Sequence, residues 1–197
     1  MTQKLILASL SPFRARLMRH AGLMVKVEGA RIDERYIENK SCSLSAEELA
    51  LKLAEEKSRE VSLRFPHAIV IGCDQILELE GEILHKPVDM EAAYRRLVTL
   101  SGKTHHLRSA VALFKNGDCL WNHVAQANMT VRPLDPQYIS DYFSRVGPDI
   151  LTSLGAYKIE REGIQIFEKI EGDYFSIVGL PLLPLLAELR ELGAING

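Results

Sequence analysis

The chain has 197 residues, enough for one domain with a sizeable core or two small lobes sharing one. With 47% hydrophobic and 25% charged residues it is neither disordered nor collagen-like. A formal net charge of −2 disfavours nucleic acid as a partner, and the longest apolar stretch, Ile177 to Leu189, is broken by prolines and shorter than the ~20 residues of a bilayer span, which disfavours a membrane.

Lys4 to Ala8 reads as an opening strand. Ser11-Pro12 starts a helix, serine as cap and proline at the first helical position, running to about Ala21 and ending at Gly22. Met24 to Val27 suits a second strand. Ser45 and Glu48 stand at capping-box spacing, and Leu49, Ala50, Leu53, Ala54 and Val61 recur with helical period. Ala68 to Leu79 is a buried strand that Gly81 turns back through Glu82 to His85. Asp89 caps a helix to about Leu97. His105 to Phe114 and Cys119 to Val131 flank Asn116-Gly117, a two-residue hairpin signal. Pro136 to Val146 reads as a helix, Ile164 to Ile170 and Phe175 to Val178 as strands, and Leu182 to Leu192 as a closing helix. Helices alternating with strands around one long hairpin predict an α/β domain with a mixed sheet, a single domain over residues 1–197.

Three cysteines, Cys42, Cys73 and Cys119, form no CxxC or Cys/His pair and read as free thiols of a reducing cytosol. The N-terminal apolar run is too short for a secretion signal, so a cytoplasmic location is expected. No histidine pair has metal-ligand spacing, and His105-His106 reads as a strand pair with one ring inward.

The informative residues are charges on faces that should be apolar. Lys57 continues the helical row Leu49, Leu53, so it either snorkels to the rim or serves an anion. Asp74 stands inside IVIGCDQIL, where a carboxylate is costly unless it is paired, metal-bound or at the mouth of a site. Arg14 lies in the first turn of the Ser11 helix, where unpaired backbone N–H groups and a charged fork suit phosphate. Asp33, Glu34 and Lys86 are ordinary when read singly. Three cations with two or three acids suit a phosphorylated ligand bound with a hard metal ion. Walker and GxGxxG loops are both missing from the sequence.

Eight short blocks then occur in order. LILASLSPFRARLM resembles the Ser-x-Ser-Pro-Arg-Arg signature of the Maf family. IDE at Ile32 to Glu34, AEEKS at Ala54 to Ser58, GCDQ at Gly72 to Gln75 and HKP at His85 to Pro87 resemble further Maf blocks. LSGKTH from Leu100, GAYKIE from Gly155 and VGLPL from Val178 complete a resemblance that covers about residues 5 to 192. It implies an elongated Maf-type (ITPase-like) fold, with a mixed sheet flanked by helices and two lobes around a central cleft. It also implies a nucleoside triphosphate pyrophosphatase that releases a nucleoside monophosphate and pyrophosphate, is linked with septum arrest, and allows a homodimer.

By the same resemblance, Asp74, Lys57, Lys86 and Glu34 are catalytic positions, Asp74 being the usual proton acceptor. Ser11, Arg14, Lys57 and Lys86 bind phosphate. Glu34 and Asp74 hold a divalent metal, Mg²⁺ first, with Mn²⁺ or Co²⁺ as alternatives. The sequence departs from the pattern at Phe13 for arginine, Gln75 for threonine and Glu160 for glutamine. The arginine, threonine and glutamine set goes with dTTP and UTP. The set found here is similar to the branch acting on 7-methyl-GTP. An aromatic face attracts a cationic methylated guanine, and a carboxylate accepts its N–H groups. Residues 149 to 154 also differ from the pyrimidine branch, which commonly has Asp-Lys-Ala there. The alternatives are a dTTP/UTP pyrophosphatase of the same family and, of another class, a nucleotide-binding regulator of septum formation with little turnover.

Overall fold

Apolar side chains on both faces of two short segments set the centre of the molecule. The computed structural model describes residues 3–196; Met1, Thr2 and Gly197, the ends of the 1–197 domain reading, lie outside them. Strand β1 (Leu5–Leu7) pairs in parallel with β2 (Val25–Val27) and with β3 (Ile69–Leu79), Leu5 standing opposite both Val25 and Ile69. Strand β4 (Glu82–Leu84) returns antiparallel on β3 through Glu80 and Gly81, both at positive φ. Strands β5 (Thr104–Lys115) and β6 (Asp118–Val131) meet at Asn116-Gly117, where φ is 51° and 86°, the expected two-residue hairpin. Strand β7 (Phe167–Glu171) runs antiparallel to β6. The order β2-β1-β3-β5-β6-β7, with β4 beside β3, makes a mixed seven-stranded sheet.

Seven α-helices accompany it among the described residues. They are α1 (Pro12–His20), α2 (Glu34–Lys40), α3 (Ala46–Arg64), α4 (Met90–Leu100), α5 (Pro136–Val146), α6 (Tyr174–Val178) and α7 (Leu182–Glu191). None is long and apolar enough to cross a membrane.

The chain forms two compact units. The first comprises residues up to 75, 108–126 and those from 173 on; the second comprises 76–107 and 127–172. In the first unit, Leu5, Leu7, Ile69, Ile71 and Cys73 meet Leu17, Met18, Leu180, Leu185 and Leu189 on one face of the sheet. Ile6, Ala8, Val61, Ala68 and Val70 form a separate cluster. Covered on both faces, β1 and β3 therefore read as continuous apolar runs rather than alternating ones. Buried Cys73 has its thiol pushed up to about 11 by desolvation, an inert core group.

In the second unit, the rings of His105, Tyr157 and Phe167 are close together, Tyr157 and Phe167 edge to face at 4.8 Å. His105 Nε2 and the Tyr157 hydroxyl are hydrogen-bonded at 2.7 Å in the buried interior. His106 is half-buried, so the expected inward and outward pair of rings is observed.

Two expectations are corrected, and one helix was not expected. Phe175 to Val178 is helical, because Asp173 caps the turn by accepting from the Ser176 N–H at 2.8 Å. Five residues are too few for helical periodicity to show. The strand expected from Ile164 begins only at Phe167, after a 3-10 turn over Glu162–Ile166. Helix α2, capped by Asp33 on the Tyr36 N–H at 3.0 Å, carries no buried residue and so leaves no apolar pattern to read. The remaining helices lie where expected, α4 extending on to Leu100.

Candidate functional site

Helix α3 approaches β3 more closely than a side chain would allow. A Cβ on Gly72 would stand 2.2 Å from the Ala54 carbonyl oxygen and 2.7 Å from the Ser58 side chain. This contact carries Lys57, one residue before Ser58, toward Asp74, two residues after Gly72. The Lys57 ammonium lies 2.7 Å from Asp74 Oδ1 and 2.7 Å from Glu34 Oε2. Lys57 and Asp74 are buried, whereas the Glu34 side chain, at the start of α2, is 49% exposed. An ammonium has three donors, so two held by carboxylates leave one for an incoming anion. The Lys57 ammonium is paired with two acids of the chain itself.

Beside this cluster, Ser11 caps α1 by accepting weakly from the Arg14 N–H at 3.5 Å. Arg14 Nε donates to the Gly179 carbonyl at 2.8 Å, and Nη1 donates to Ser9 Oγ and the Cys73 carbonyl at 3.1 Å each. The guanidinium thus ties α1 to the residue before Asp74 and to the end of α6. Nη2 is its arm without a hydrogen bond among the described residues. Gln75 Nε2 lies 2.9 Å from Ser109 Oγ and 3.0 Å from both the Ser176 and Ile177 carbonyls. Seven residues expected from sequence, Ser11, Phe13, Arg14, Glu34, Lys57, Asp74 and Gln75, thus belong to the first unit.

The family model of the Maf-like protein matches residues 4–192. The chain belongs to the Maf-like protein family. Curated relatives cover its whole length. A 7-methyl-GTP pyrophosphatase of Mesorhizobium japonicum is 57% identical over 199 residues, covering 100% of both chains. Proteins of the same name from Bartonella quintana and Brucella abortus are each 55% identical, covering 99% and 100% of this chain and 98% and 100% of their own. A solved HAM1 protein from Coxiella burnetii is a looser likeness, with a TM-score of 0.44 and 12% identity over 94% of this chain and 99% of that one.

In this Maf-like chain, half-buried Phe13 lies in the first turn of α1, and the Arg16 guanidinium stands 5.4 Å from its ring centroid. It is not a core residue. Lys86 and Glu160 belong to the second unit. Lys86 is exposed in the loop after β4, just before buried Pro87. Glu160 is half-buried in the turn that the Arg161 N–H closes on the Lys158 carbonyl at 3.1 Å.

Asp74 and Glu34 each keep one carboxylate oxygen that Lys57 does not hold. Two hard oxygen donors near one point fit a magnesium-type ion that keeps its waters and shares substrate phosphates. No group of three or more His, Cys, Asp or Glu side chains that could hold a metal ion is assembled among the described residues.

Sequence reasoning missed Ser9, Ser109 and the end of α6, which hold Arg14 and Gln75. A serine within the apolar strand β5 was a usable signal for Ser109. The end of α6 acts through main-chain carbonyls, and the sequence marked it only by the VGLPL block that begins at Val178.

Proposed function

We propose that the chain is a metal-dependent 7-methyl-GTP pyrophosphatase whose reacting centre is the Lys57, Asp74 and Glu34 cluster. The observation that carries the reading is the buried Lys57 ammonium at 2.7 Å from both acids. The names of full-length relatives at 55–57% identity support the substrate. In this reading a water attacks the α-phosphorus, the bond from that phosphorus to the bridging oxygen breaks, and pyrophosphate leaves. Asp74 accepts the proton of the water. The free donors of Lys57 and Arg14 stabilise charge on the departing phosphates, and Lys86 joins them by resemblance.

Asp74 and Glu34 would hold the metal ion, which supplies neutralisation of the triphosphate when bound. Phe13 offers an aromatic face to the cationic base, while Gln75 and Glu160 supply hydrogen-bond acceptors. The reading includes a cytoplasmic location and a homodimer.

The test is pyrophosphate release from 7-methyl-GTP, GTP, dTTP, UTP and CTP, each with Mg²⁺ and with EDTA. We expect 7-methyl-GTP to be preferred and EDTA to abolish turnover. Preference for dTTP or UTP would overturn the base assignment. No turnover on any of them would overturn the enzyme reading in favour of a nucleotide-binding regulator.

A further inference from the structure

Arg96, half-buried on α4, sets its planar fork on two main-chain carbonyls of its own unit. Nη1 donates to the Leu154 carbonyl at 2.6 Å and Nη2 to the His85 carbonyl at 2.9 Å. The Leu154 end is firm. Gly155 follows it, and a Cβ there would stand 2.0 Å from the Tyr157 ring. Ala156 is buried at φ 57°, a conformation that alanine keeps only where its surroundings impose it. Tyr157 is buried and hydrogen-bonded to His105 at 2.7 Å.

The His85 end lies in a surface loop, where His85, Lys86 and Val88 are all exposed. The His85 carbonyl belongs to the same planar peptide group as the Lys86 N–H, so Arg96 fixes the plane from which Lys86 departs. On the other side, buried Pro87 restricts Lys86 to extended backbone. An exposed lysine is thus held at both of its peptide bonds, which a merely solvated side chain does not require.

We infer that Arg96 is a positioning residue for Lys86. It fastens the loop after β4 to the firm turn at residues 154–157 and so sets where the Lys86 ammonium meets phosphate. The inference rests on the nucleotide reading above, in which Lys86 acts on the departing phosphates.

The test is a double-mutant cycle on kcat/KM for 7-methyl-GTP, with Arg96→Gln, Lys86→Met and the two combined. Arg96→Gln should lower kcat/KM by about tenfold or more, chiefly in kcat, because the lysine is displaced from the leaving group. With Lys86→Met already present, the same change should lower it by less than about twofold, since no ammonium is left to place. Equal losses in both backgrounds would mean a purely structural role and would overturn the inference while the activity stands. An Arg96→Gln variant as active as the original would overturn it too. If Arg96→Gln fails to fold, Arg96→Lys takes its place in the cycle, since an ammonium keeps the charge without the fork that spans both carbonyls, and the same outcomes decide.

Calorimetric Kd values for inorganic pyrophosphate with Mg²⁺ read the same geometry without turnover. Arg96→Gln and Lys86→Met should weaken binding by similar factors, and the combined variant no further. A chain that failed to hydrolyse 7-methyl-GTP would therefore still decide the inference. Similar, non-additive weakening would uphold it, and a pyrophosphate affinity untouched by Arg96→Gln would overturn it.

Discussion

Lys57 carries its charge on the apolar face of α3, where water is scarce, and Asp74 carries another in the middle of a buried strand. Each would be expensive alone, and each offsets the desolvation of the other. Both were legible in the sequence because they interrupt apolar rows. Glu34, a carboxylate at the start of an exposed helix, breaks no pattern; the sequence marked it only through the resemblance of its IDE block, and the structure adds its 2.7 Å contact with Lys57. Asp74→Asn keeps the volume and an oxygen for Lys57 but removes the proton acceptor. Turnover of 7-methyl-GTP should fall by about 10²- to 10⁴-fold with an unchanged circular dichroism spectrum. Activity within twofold of the original would remove Asp74 from the chemistry.

Elements bring such residues together through one close approach. The capping box of α3, with the Ser45 and Glu48 side chains bonded reciprocally, fixes where the helix begins. Gly72 fixes how near it comes to β3. Gly72→Ala sets a methyl against the Ala54 carbonyl at 2.2 Å, and backbone cannot yield as a side-chain tip does. We expect a loss of about 2 kcal/mol or more in urea unfolding, as for overpacked cores. Activity should drop with it, because Lys57 moves with the helix; an unchanged stability would show that α3 is free to shift. Capping and periodicity made α1, α3, α4 and α5 legible from sequence. α6 was misread as a strand because its helix rests on Asp173 and its end on Gly179, at φ 112°, and five residues hold no period.

At the scale of the molecule, burial of titratable groups sets how stability responds to acid. Desolvation first, then the charges of His106 and Arg96, hold His105 at about 3, below its ordinary 6.5. The folded chain therefore keeps this imidazole neutral, while the unfolded chain takes up a proton below about pH 6.5. The stabilisation is complete above that pH and is lost as pH falls toward 3, by about 1.4 kcal/mol per unit, or about 2 kcal/mol at pH 5. Urea unfolding of the chain and of His105→Gln between pH 7 and pH 5 checks this. The original should lose stability more steeply, and parallel curves would contradict it.

The sequence by itself determined the alternation of helices and strands, the hairpin at Asn116-Gly117, the family and the oddness of Lys57 and Asp74. Those signals are local: caps, turns, periods and charges out of place, each readable within a few residues. Only the tertiary structure decided that Glu34 shares Lys57 with Asp74, that Arg14 spends two of its nitrogens on the chain itself, and that Gln75 turns its amide nitrogen to the carbonyls of α6. Each of these depends on a carbonyl, hydroxyl or carboxylate from a distant segment, up to 165 positions away for Arg14 and Gly179. Main-chain acceptors leave no trace in residue type, so their placement belongs to the fold alone.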